Sequence, residues 1–449
     1  MGKVAGWCAR YVGVAALAAG LGCGNAETQR RALETIEIYS YSTAGPTSEC
    51  LAAMLGLFAP SHPDTRIVDR AREVSAGSAS RLDLWVSQGN PPDLFEIGAG
   101  RDLVRWVTLG TASDGASLLE PLDSLEADEG YRSEFPDAVL QQTSFGGHLY
   151  AVPVDVERIN LLYYNKKILD AFGLSPPTTL DDFFVVGEAL KAKGIVPLAV
   201  GSAESWLLGM IAWQWLLLEE ASADYYVEFF KGNRNPDDRQ IGSTLAKLSR
   251  VLDQTNYKVK SSDVAALLAQ SPSAPDPENP RGLGAIQAAE LVFEGRAAMT
   301  MQWDWAKAYL QAKGWQPDED FGELPAPGTK GTYLFFSDAF GLPVGARNRG
   351  GAFELLKTFG SAEAQVACAA RAGRIPARID ADKTQFDEMT QRRMTDLASA
   401  KVVVPIVEMI LPADVVTVVN DSLLRFAEDR DVDGEIRRLR DIYGRFARP

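Results

Sequence analysis

The chain has 449 residues, of which 46% are hydrophobic, and carries a formal net charge of -15. Enough apolar side chains are present to offset the entropy of ordering the chain, which excludes an intrinsically disordered protein. The acidic balance argues against nucleic acid and anionic membrane surfaces as partners and favours a neutral ligand. A chain of this length exceeds what one hydrophobic core usually supports, so we expect two lobes.

The first 26 residues are predicted to direct export. Lys3 and Arg10 are the only charges before an apolar run over residues 11–21, which is too short to span a bilayer. A small residue precedes Cys23, as at a lipoprotein cleavage site, and Cys23 would then carry the lipid. Gly20 departs from that pattern, and cleavage after Ala26 is the alternative. Both possibilities predict a periplasmic or cell-surface protein.

Strand-like and helix-like segments alternate along the next part of the chain. Period-two alternation predicts strands, and apolar residues at helical spacing predict helices. Strands are expected over residues 35–41, 65–70, 94–97, 160–164 and 196–200, and helices over 48–59, 78–88, 102–108 and 179–193. Thr178 or Thr179 is expected to cap the last of these helices. Strands separated by helices imply parallel pairing with right-handed crossovers.

Two later segments have distinct compositions. Residues 206–218 are apolar but too short to span a membrane, and they are predicted to form a buried helix containing Trp213 and Trp215. Residues 271–284 contain four prolines and no apolar period. This segment is predicted to be a surface insertion within one lobe, because a helix and a strand follow it.

The chain has four cysteines. Cys8 lies in the predicted signal, and Cys23 is occupied if it is lipidated. Cys50 and Cys368 then form the candidate pair in an oxidising compartment, and closing so long a loop would constrain the unfolded chain by about 4 to 5 kcal/mol. Two unpaired buried thiols are the alternative.

A group of aromatic and acidic residues suggests the ligand. Trp303, Asp304, Trp305 and Tyr309 follow a short apolar run. Aromatic faces beside single carboxylates suit a ring with apolar faces and equatorial hydroxyls, which describes a sugar. Trp206 follows a predicted strand-to-helix turn, where this class of fold places ligand contacts.

Several candidates also have structural interpretations. One of Trp303 and Trp305 is expected to be a core residue, and the structural alternative for Asp304 is the role of a helix N-cap. Asp338 is either a ligand acceptor or the partner of an arginine such as Arg378. Arg158 either contacts the ligand or pairs with a neighbouring acid, Asp155 or Glu157, and only frames the site. His62 and His148 are expected to be surface or structural residues.

A series of motifs carries a family resemblance. They are GNPPDLFEIGAG (89–100), GGHLYAVP (146–153), LLYYNKKILDAFGL (161–174), PPTTLDDF (176–183), KGIVPLAVG (193–201), FEGRAAM (293–299), LPAPGTKGTYLFFSDAFGLPVGARN (324–348) and AGRIPARID (372–380). In this order they resemble extracellular solute-binding protein family 1, the maltose-binding-like substrate-binding proteins of ABC-type sugar importers. Residues 158–160, 304–307 and 327–332 are most similar to the subgroup that binds glucose and other aldoses.

The resemblance implies a two-lobe α/β periplasmic-binding-protein fold, type II-like, with parallel-rich sheets flanked by helices and a ligand cleft between the lobes. Lobe 1 is expected to comprise residues 33–152 and 339–374, and lobe 2 residues 153–338 and 375–449. The lobes would close on the ligand by hinge bending, and ABC permease subunits would recognise the closed form of a monomer. The expected ligand-binding residues are Tyr41, Arg158, Trp206, Trp303, Asp304, Trp305, Asp338 and Arg378.

The chain departs from the aldose-binding subgroup at several positions. Tyr41 and Ser42 stand where the subgroup has two tryptophans, and Gly98 stands where relatives have His or Lys. Trp303 replaces a small residue, Glu157 stands at a position often held by His, and residues 405–407 lack another His. The identity of the sugar is therefore left open.

Two other functional classes were considered. A glycoside hydrolase would require an acid pair among Asp155, Glu157, Asp304 and Asp338, and nothing in the sequence selects one. A ligand sensor that presents the sugar to a receptor would use the same hinge. No cofactor or metal is expected, because the two histidines lack zinc-site spacing and residues 98–100 lack the third glycine of a dinucleotide-binding loop.

Overall fold

A computed structural model describes residues 34–43, 45–73, 79–109, 117–201, 212–256 and 284–446. The predicted signal with Cys23, the candidate ligand residue Trp206 and residues 271–283 of the proline-rich segment lie outside the described residues.

The strands and helices of these ranges are numbered in chain order. The strands are β1 (Glu34–Tyr39), β2 (Thr65–Asp69), β3 (Leu94–Gly98), β4 (Ser144–Phe145), β5 (His148–Leu149), β6 (Ala151–Pro153), β7 (Glu157–Arg158), β8 (Leu161–Asn165), β9 (Val196–Ala199), β10 (Ala297–Gln302), β11 (Phe321–Pro325), β12 (Thr332–Phe336), β13 (Asp338–Gly341) and β14 (Val402–Pro405). The helices are α1 (Gly45–Phe58), α2 (Ala79–Ser87), α3 (Arg101–Leu109), α4 (Asp123–Glu129), α5 (Tyr131–Glu134), α6 (Asp137–Gln142), α7 (Lys166–Ala171), α8 (Leu180–Lys191), α9 (Gln214–Glu220), α10 (Ala223–Phe230), α11 (Arg239–Leu252), α12 (Ala285–Phe293), α13 (Trp305–Ala312), α14 (Arg349–Gly360), α15 (Ala362–Ala372), α16 (Glu388–Ser399), α17 (Val407–Ile410), α18 (Ala413–Asp429) and α19 (Val432–Phe446).

Lobe 1 is built on a five-stranded sheet with the order β2-β1-β3-β13-β6. β1 pairs in parallel with β2 and β3, as the strand–helix alternation predicts. β13 is antiparallel to β3 and β6. The antiparallel pairs arise because β6 and β13 carry the chain between the lobes, so they join the sheet without a crossover helix. Ile36 and Ile38 on β1 are fully buried in the lobe's core.

Lobe 2 contains two smaller sheets. One has the order β11-β8-β10-β9, and the other β14-β12-β7. β9 is parallel to β10 and β12 to β14, whereas β8 is antiparallel to both of its neighbours. The molecule is therefore α/β with mixed sheets.

Local sequence accounts well for the helices and strands that it predicted. Each lies within three residues of its predicted bounds. Thr179 caps α8 in a capping box with Asp182, which satisfies two backbone N–H groups at the start of the helix. Trp213 and Trp215 are buried, as predicted.

Two further features bear on the stability and surroundings of the fold. A disulfide joins Cys50 on α1 to Cys368 on α15, across 318 residues of sequence and within lobe 1. Within the described ranges, no helix combines the length and apolar character needed to cross a membrane.

Candidate functional site

Three chain segments connect the lobes and form the floor of the cleft between them. The first links β6 to β7, the second links β12 to β13, and the third follows α15. Val156 of the first segment forms a β-bridge with Ile375 of the third. Ser337 of the second donates its hydroxyl to the carbonyl of Asp155, at 2.7 Å. The segments are thus bonded to one another as well as to the lobes.

Tyr41 contributes an aromatic face from lobe 1. It lies two residues beyond β1, its side chain is 49% exposed, and its hydroxyl donates a hydrogen bond to Asp338 Oδ1. Beneath it, the buried carboxylate of Glu96 accepts hydrogen bonds from the hydroxyls of Ser40 and Ser42. The exposed ring of Tyr41 is therefore anchored through its hydroxyl and neighbouring serines to buried carboxylates.

A second aromatic surface comes from lobe 2. Trp303 follows β10, and its ring centroid lies 6.2 Å from that of Phe336 at the end of β12, with the planes inclined by 35°. Both rings are half-buried. A Cβ at Gly98 of lobe 1 would lie 3.4 Å from the Phe336 ring. A side chain at position 98 would therefore be in van der Waals contact with this ring.

Phe336 was missed by the sequence interpretation. In the sequence, Phe336 lies two residues before Asp338 in a run of residues that resembles one continuous strand. Residues two apart in a strand face the same side of the sheet, and this spacing was the only signal. Asp102, in the first turn of α3, was also missed. A Cβ at Gly98 would lie 3.9 Å from the Cβ of Asp102, and the half-exposed carboxylate of Asp102 pairs with Arg105 at 3.2 Å.

Arg374 lies at the centre of the cleft floor. Its Nη1 is 2.5 Å from Asp155 Oδ2 and 2.6 Å from Asp338 Oδ2, and its Nη2 is 2.8 Å from Glu157 Oε1. Arg374, and not Arg378, is therefore the arginine partner of Asp338. Oxygens of the three carboxylates lie within 4.8 Å of one another, and the guanidinium that binds all three neutralises part of their charge.

The buried acids outnumber the positive charge at this floor. Burial raises the pKa of Asp155 to about 6, although Arg374 opposes the shift. Burial and repulsion from Asp338 raise the pKa of Glu96 to about 8. Burial raises the pKa of Glu157 well above its usual value. The floor therefore retains protons near neutral pH.

Asp304 lies in the interior of lobe 2. It occupies the N-cap position of α13, but its side chain makes no capping hydrogen bond. Its carboxylate is fully buried, 3.6 Å from Nη1 of the equally buried Arg393. Burial raises the pKa of Asp304 to about 6, against the opposing charge of Arg393. In this conformation Asp304 is not on the surface of the cleft.

The remaining predicted residues are separated from the cleft floor. Trp305 packs edge-to-face against Tyr309. Arg158 is buried over the ring of Tyr333, at 4.7 Å, and pairs with Asp396 instead of Asp155 or Glu157.

Arg378 also pairs away from the centre of the floor. Its partners are Glu134 of lobe 1 and the neighbouring Asp380. Of the predicted residues that the structure describes, Tyr41 and Asp338 bond to each other beside the connecting segments, and Trp303 packs against Phe336.

Two grooves differ in how they relate to the lobes. A groove of about 700 Å³ is bordered by Gly100 and Gln142 of lobe 1 and by Val403 and Met409 of lobe 2. Another, of about 560 Å³, is lined by Arg158 and other residues of lobe 2 alone. A ligand can favour the closed form only by contacting both lobes; the first groove meets this condition and the second does not.

Comparison with known proteins identifies the family to which this chain is similar. The family model described as bacterial extracellular solute-binding protein matches residues 51–366. An uncharacterized ABC transporter extracellular-binding protein of Pyrococcus horikoshii is 29% identical over 417 residues, covering 90% of this chain and 86% of that protein. A probable sugar-binding periplasmic protein of Rhizobium meliloti is 28% identical over 386 residues and covers 84% of both chains.

A solved structure supports the two-lobed fold. It is that of a bacterial solute receptor described as having an exclusive substrate preference for b-D-galactopyranose. It superimposes with a TM-score of 0.74 at 17% identity, covering 93% of this chain and 100% of the receptor. Since the family model spans well over half of the sequence, the chain belongs to the bacterial extracellular solute-binding protein family.

Proposed function

We propose that this protein is the substrate-binding subunit of an ABC-type sugar importer. It captures a mono- or oligosaccharide between its lobes by hinge closure and delivers it to the membrane permease. The observation that carries the proposal is the placement of aromatic rings from both lobes beside the segment that links β12 to β13: the Tyr41 hydroxyl of lobe 1 bonds to Asp338, and Trp303 of lobe 2 packs against Phe336. The sugar ligands named for a sequence relative and a structural neighbour support the same class.

The ring faces suit the apolar faces of a pyranose or furanose. Trp303 and Phe336 are only partly covered by protein, so a sugar that stacks on them removes further apolar surface from water. The half-exposed carboxylate of Asp102 is placed to accept hydrogen bonds from sugar hydroxyls. Hydrogen bonds to a charged acceptor are the stronger kind, and together these contacts favour a neutral polyhydroxylated ligand.

The hinge follows from the connections between the lobes. Three short segments join them, and beyond these segments Gly100 of lobe 1 closely approaches Met409 of lobe 2. A ligand that touches Tyr41 and Trp303 together adds contacts that exist only when the lobes are close, and this shifts the equilibrium toward closure.

The proposal includes the site of action. The predicted export signal would direct the protein to the periplasm or the cell surface, and lipidation of Cys23 would hold it beside the permease as a monomer.

The test is ligand binding by the chain from residue 27 onward. Thermal-shift screening against mono- and disaccharides, followed by calorimetry, is expected to find one sugar class that stabilises the protein. Ligand at about 100 times its dissociation constant adds about 2.7 kcal/mol. The same samples are assayed for sugar hydrolysis, which is expected to be absent.

A pair of tryptophan variants tests the site. Trp303→Leu is expected to weaken sugar binding about tenfold, because a stacked ring is worth about 1 kcal/mol beyond its buried area. Trp315→Leu is the matched control, since Trp315 packs against Phe293 and Phe321 within lobe 2. Equal affinity of the parent and both variants would refute this location of the site.

A further inference from the structure

Arg374 lies in one of the segments that join the lobes and bonds to side chains in or next to the other two. It belongs to the third segment, its Nη1 and Nη2 bind Asp155 and Glu157 of the first, and its Nη1 also binds Asp338 at the start of β13, after the second. A guanidinium suits this role because its donors are fixed in one plane and can serve several carboxylates at once. The relative positions of the three segments are thus tied to one side chain.

The same network reaches the surface of the cleft. Asp338 binds Arg374 through Oδ2 and accepts a hydrogen bond from Tyr41 through Oδ1. The backbone N–H of Asp338 also donates to Asp155 Oδ1, at 3.0 Å. Both carboxylate oxygens of Asp338 are therefore used within the protein. A continuous path of hydrogen bonds runs from the exposed ring of Tyr41 to the hinge.

We propose that Arg374 is a positioning residue that couples ligand contact at Tyr41 to the arrangement of the three connecting segments. This inference rests on the proposed function and names how the site and the hinge communicate. A ligand that holds Tyr41 in one position also holds Asp338 in place. Through its bonds to Asp338, Asp155 and Glu157, the Arg374 guanidinium then restricts the segments that must bend. Asp338 acts through Tyr41 and Arg374 and does not itself receive the sugar.

A merely structural ion-pair cluster would behave differently. It would lower the stability of the fold when broken, but it would not link the effects of changes at Tyr41 and Asp338. Arg438 provides a matched control, because it also pairs with two carboxylates, Glu435 and Asp429, but lies on α19 and joins that helix to the end of α18.

The first measurement is hydrogen exchange of the ligand-free protein. Arg374→Lys keeps the charge but cannot serve three carboxylates in one plane. We expect about tenfold faster exchange in residues 153–158 and 334–341 than in the parent, and unchanged exchange there in Arg438→Lys. Parent-like exchange in the Arg374→Lys protein would overturn the proposal.

The second measurement is a double-mutant cycle of sugar affinity with Tyr41→Phe and Asp338→Asn. Asp338→Asn reduces the excess of buried acids, so this variant is expected to fold even if Arg374→Lys does not. Each single change is expected to weaken binding about fivefold or more, and the double variant to bind no more weakly than the weaker single variant. Multiplicative effects would overturn the coupling. If the parent binds no sugar, the proposed function fails, and the exchange measurement still decides the role of Arg374.

Discussion

Replacing Glu96 with glutamine should make the protein more stable in alkaline solution than the parent. Glu96 is buried in lobe 1, where its carboxylate faces the hydroxyls of Ser40 and Ser42, the carboxylate of Asp338 and, more distantly, the guanidinium of Arg374. Glutamine keeps the shape: its amide oxygen can accept a hydrogen bond from one serine hydroxyl, and its amide nitrogen can donate one to the other. It removes the negative charge that this site has to accommodate when Glu96 ionises.

The size and sign follow from the pKa. The folded protein raises the pKa of Glu96 from 4.5 to about 8, so it retains a proton that the unfolded chain has released. The parent therefore loses stability as the pH rises through this window, and below about pH 4.5 the effect vanishes. At about 1.36 kcal/mol for each unit the upper limit is about 5 kcal/mol. Because the protein relaxes around a buried charge, we expect about 2 to 5 kcal/mol.

The assay is urea unfolding of both proteins from pH 5 to pH 9, followed by tryptophan fluorescence. The free energy of unfolding of Glu96→Gln relative to the parent should rise from pH 5 to about pH 8 and level off above it. Asp182→Asn is the control, since hydrogen bonding by Thr179 lowers the pKa of Asp182 and its titration falls below the range. Parallel curves for Glu96→Gln and the parent would show that the floor of the cleft does not retain this proton.

Two further predictions concern the disulfide and the contact between the lobes. Replacing both Cys50 and Cys368 with alanine should lower the free energy of unfolding by about 3 to 5 kcal/mol, because the unfolded chain regains the freedom of a long loop. Calorimetry should show unchanged sugar affinity, since both cysteines lie within lobe 1. A free energy of unfolding equal to that of the parent would contradict the prediction. Gly100→Ala should weaken sugar binding, because the new Cβ would lie 2.4 Å from the carbonyl oxygen of Met409 in the other lobe and because Gly100 has φ of +84°. X-ray scattering of the liganded protein should then give a larger radius of gyration than for the parent. Gly146→Ala, at a positive φ with open space around it, controls for backbone strain, and equal scattering profiles for the parent and Gly100→Ala would refute the role of this contact.

Local sequence patterns predicted most of the secondary structure of the first half of the chain. Apolar periodicity and the capping residue Thr179 act over a few neighbouring residues, so they can be recognised without knowledge of the fold. The mixed character of the sheets was not predictable in this way. Strands β6 and β13 pair antiparallel because of where the chain crosses between the lobes, and that is a property of the whole topology.

The candidate site shows the same division. The sequence predicted Tyr41, Trp303 and Asp338 as ligand-binding residues by residue type and family resemblance. It named Arg378 as a possible partner of Asp338 and missed Arg374, which lies four residues earlier in the same motif. The fold separates them: Gly373 ends α15 at a positive φ, and Ile375 pairs with Val156. Arg374 is thereby directed to the buried acids, while Arg378 reaches Glu134.

The sequence by itself determined that this is an α/β solute-binding protein, because periodicity, composition and ordered motifs are properties of the linear chain. Only the tertiary structure decided which acids are buried together, which arginine neutralises them and which rings face the cleft. Those relations join residues up to 297 positions apart, such as Tyr41 and Asp338, and interactions across such separations depend on the packing of two lobes, not on local preference.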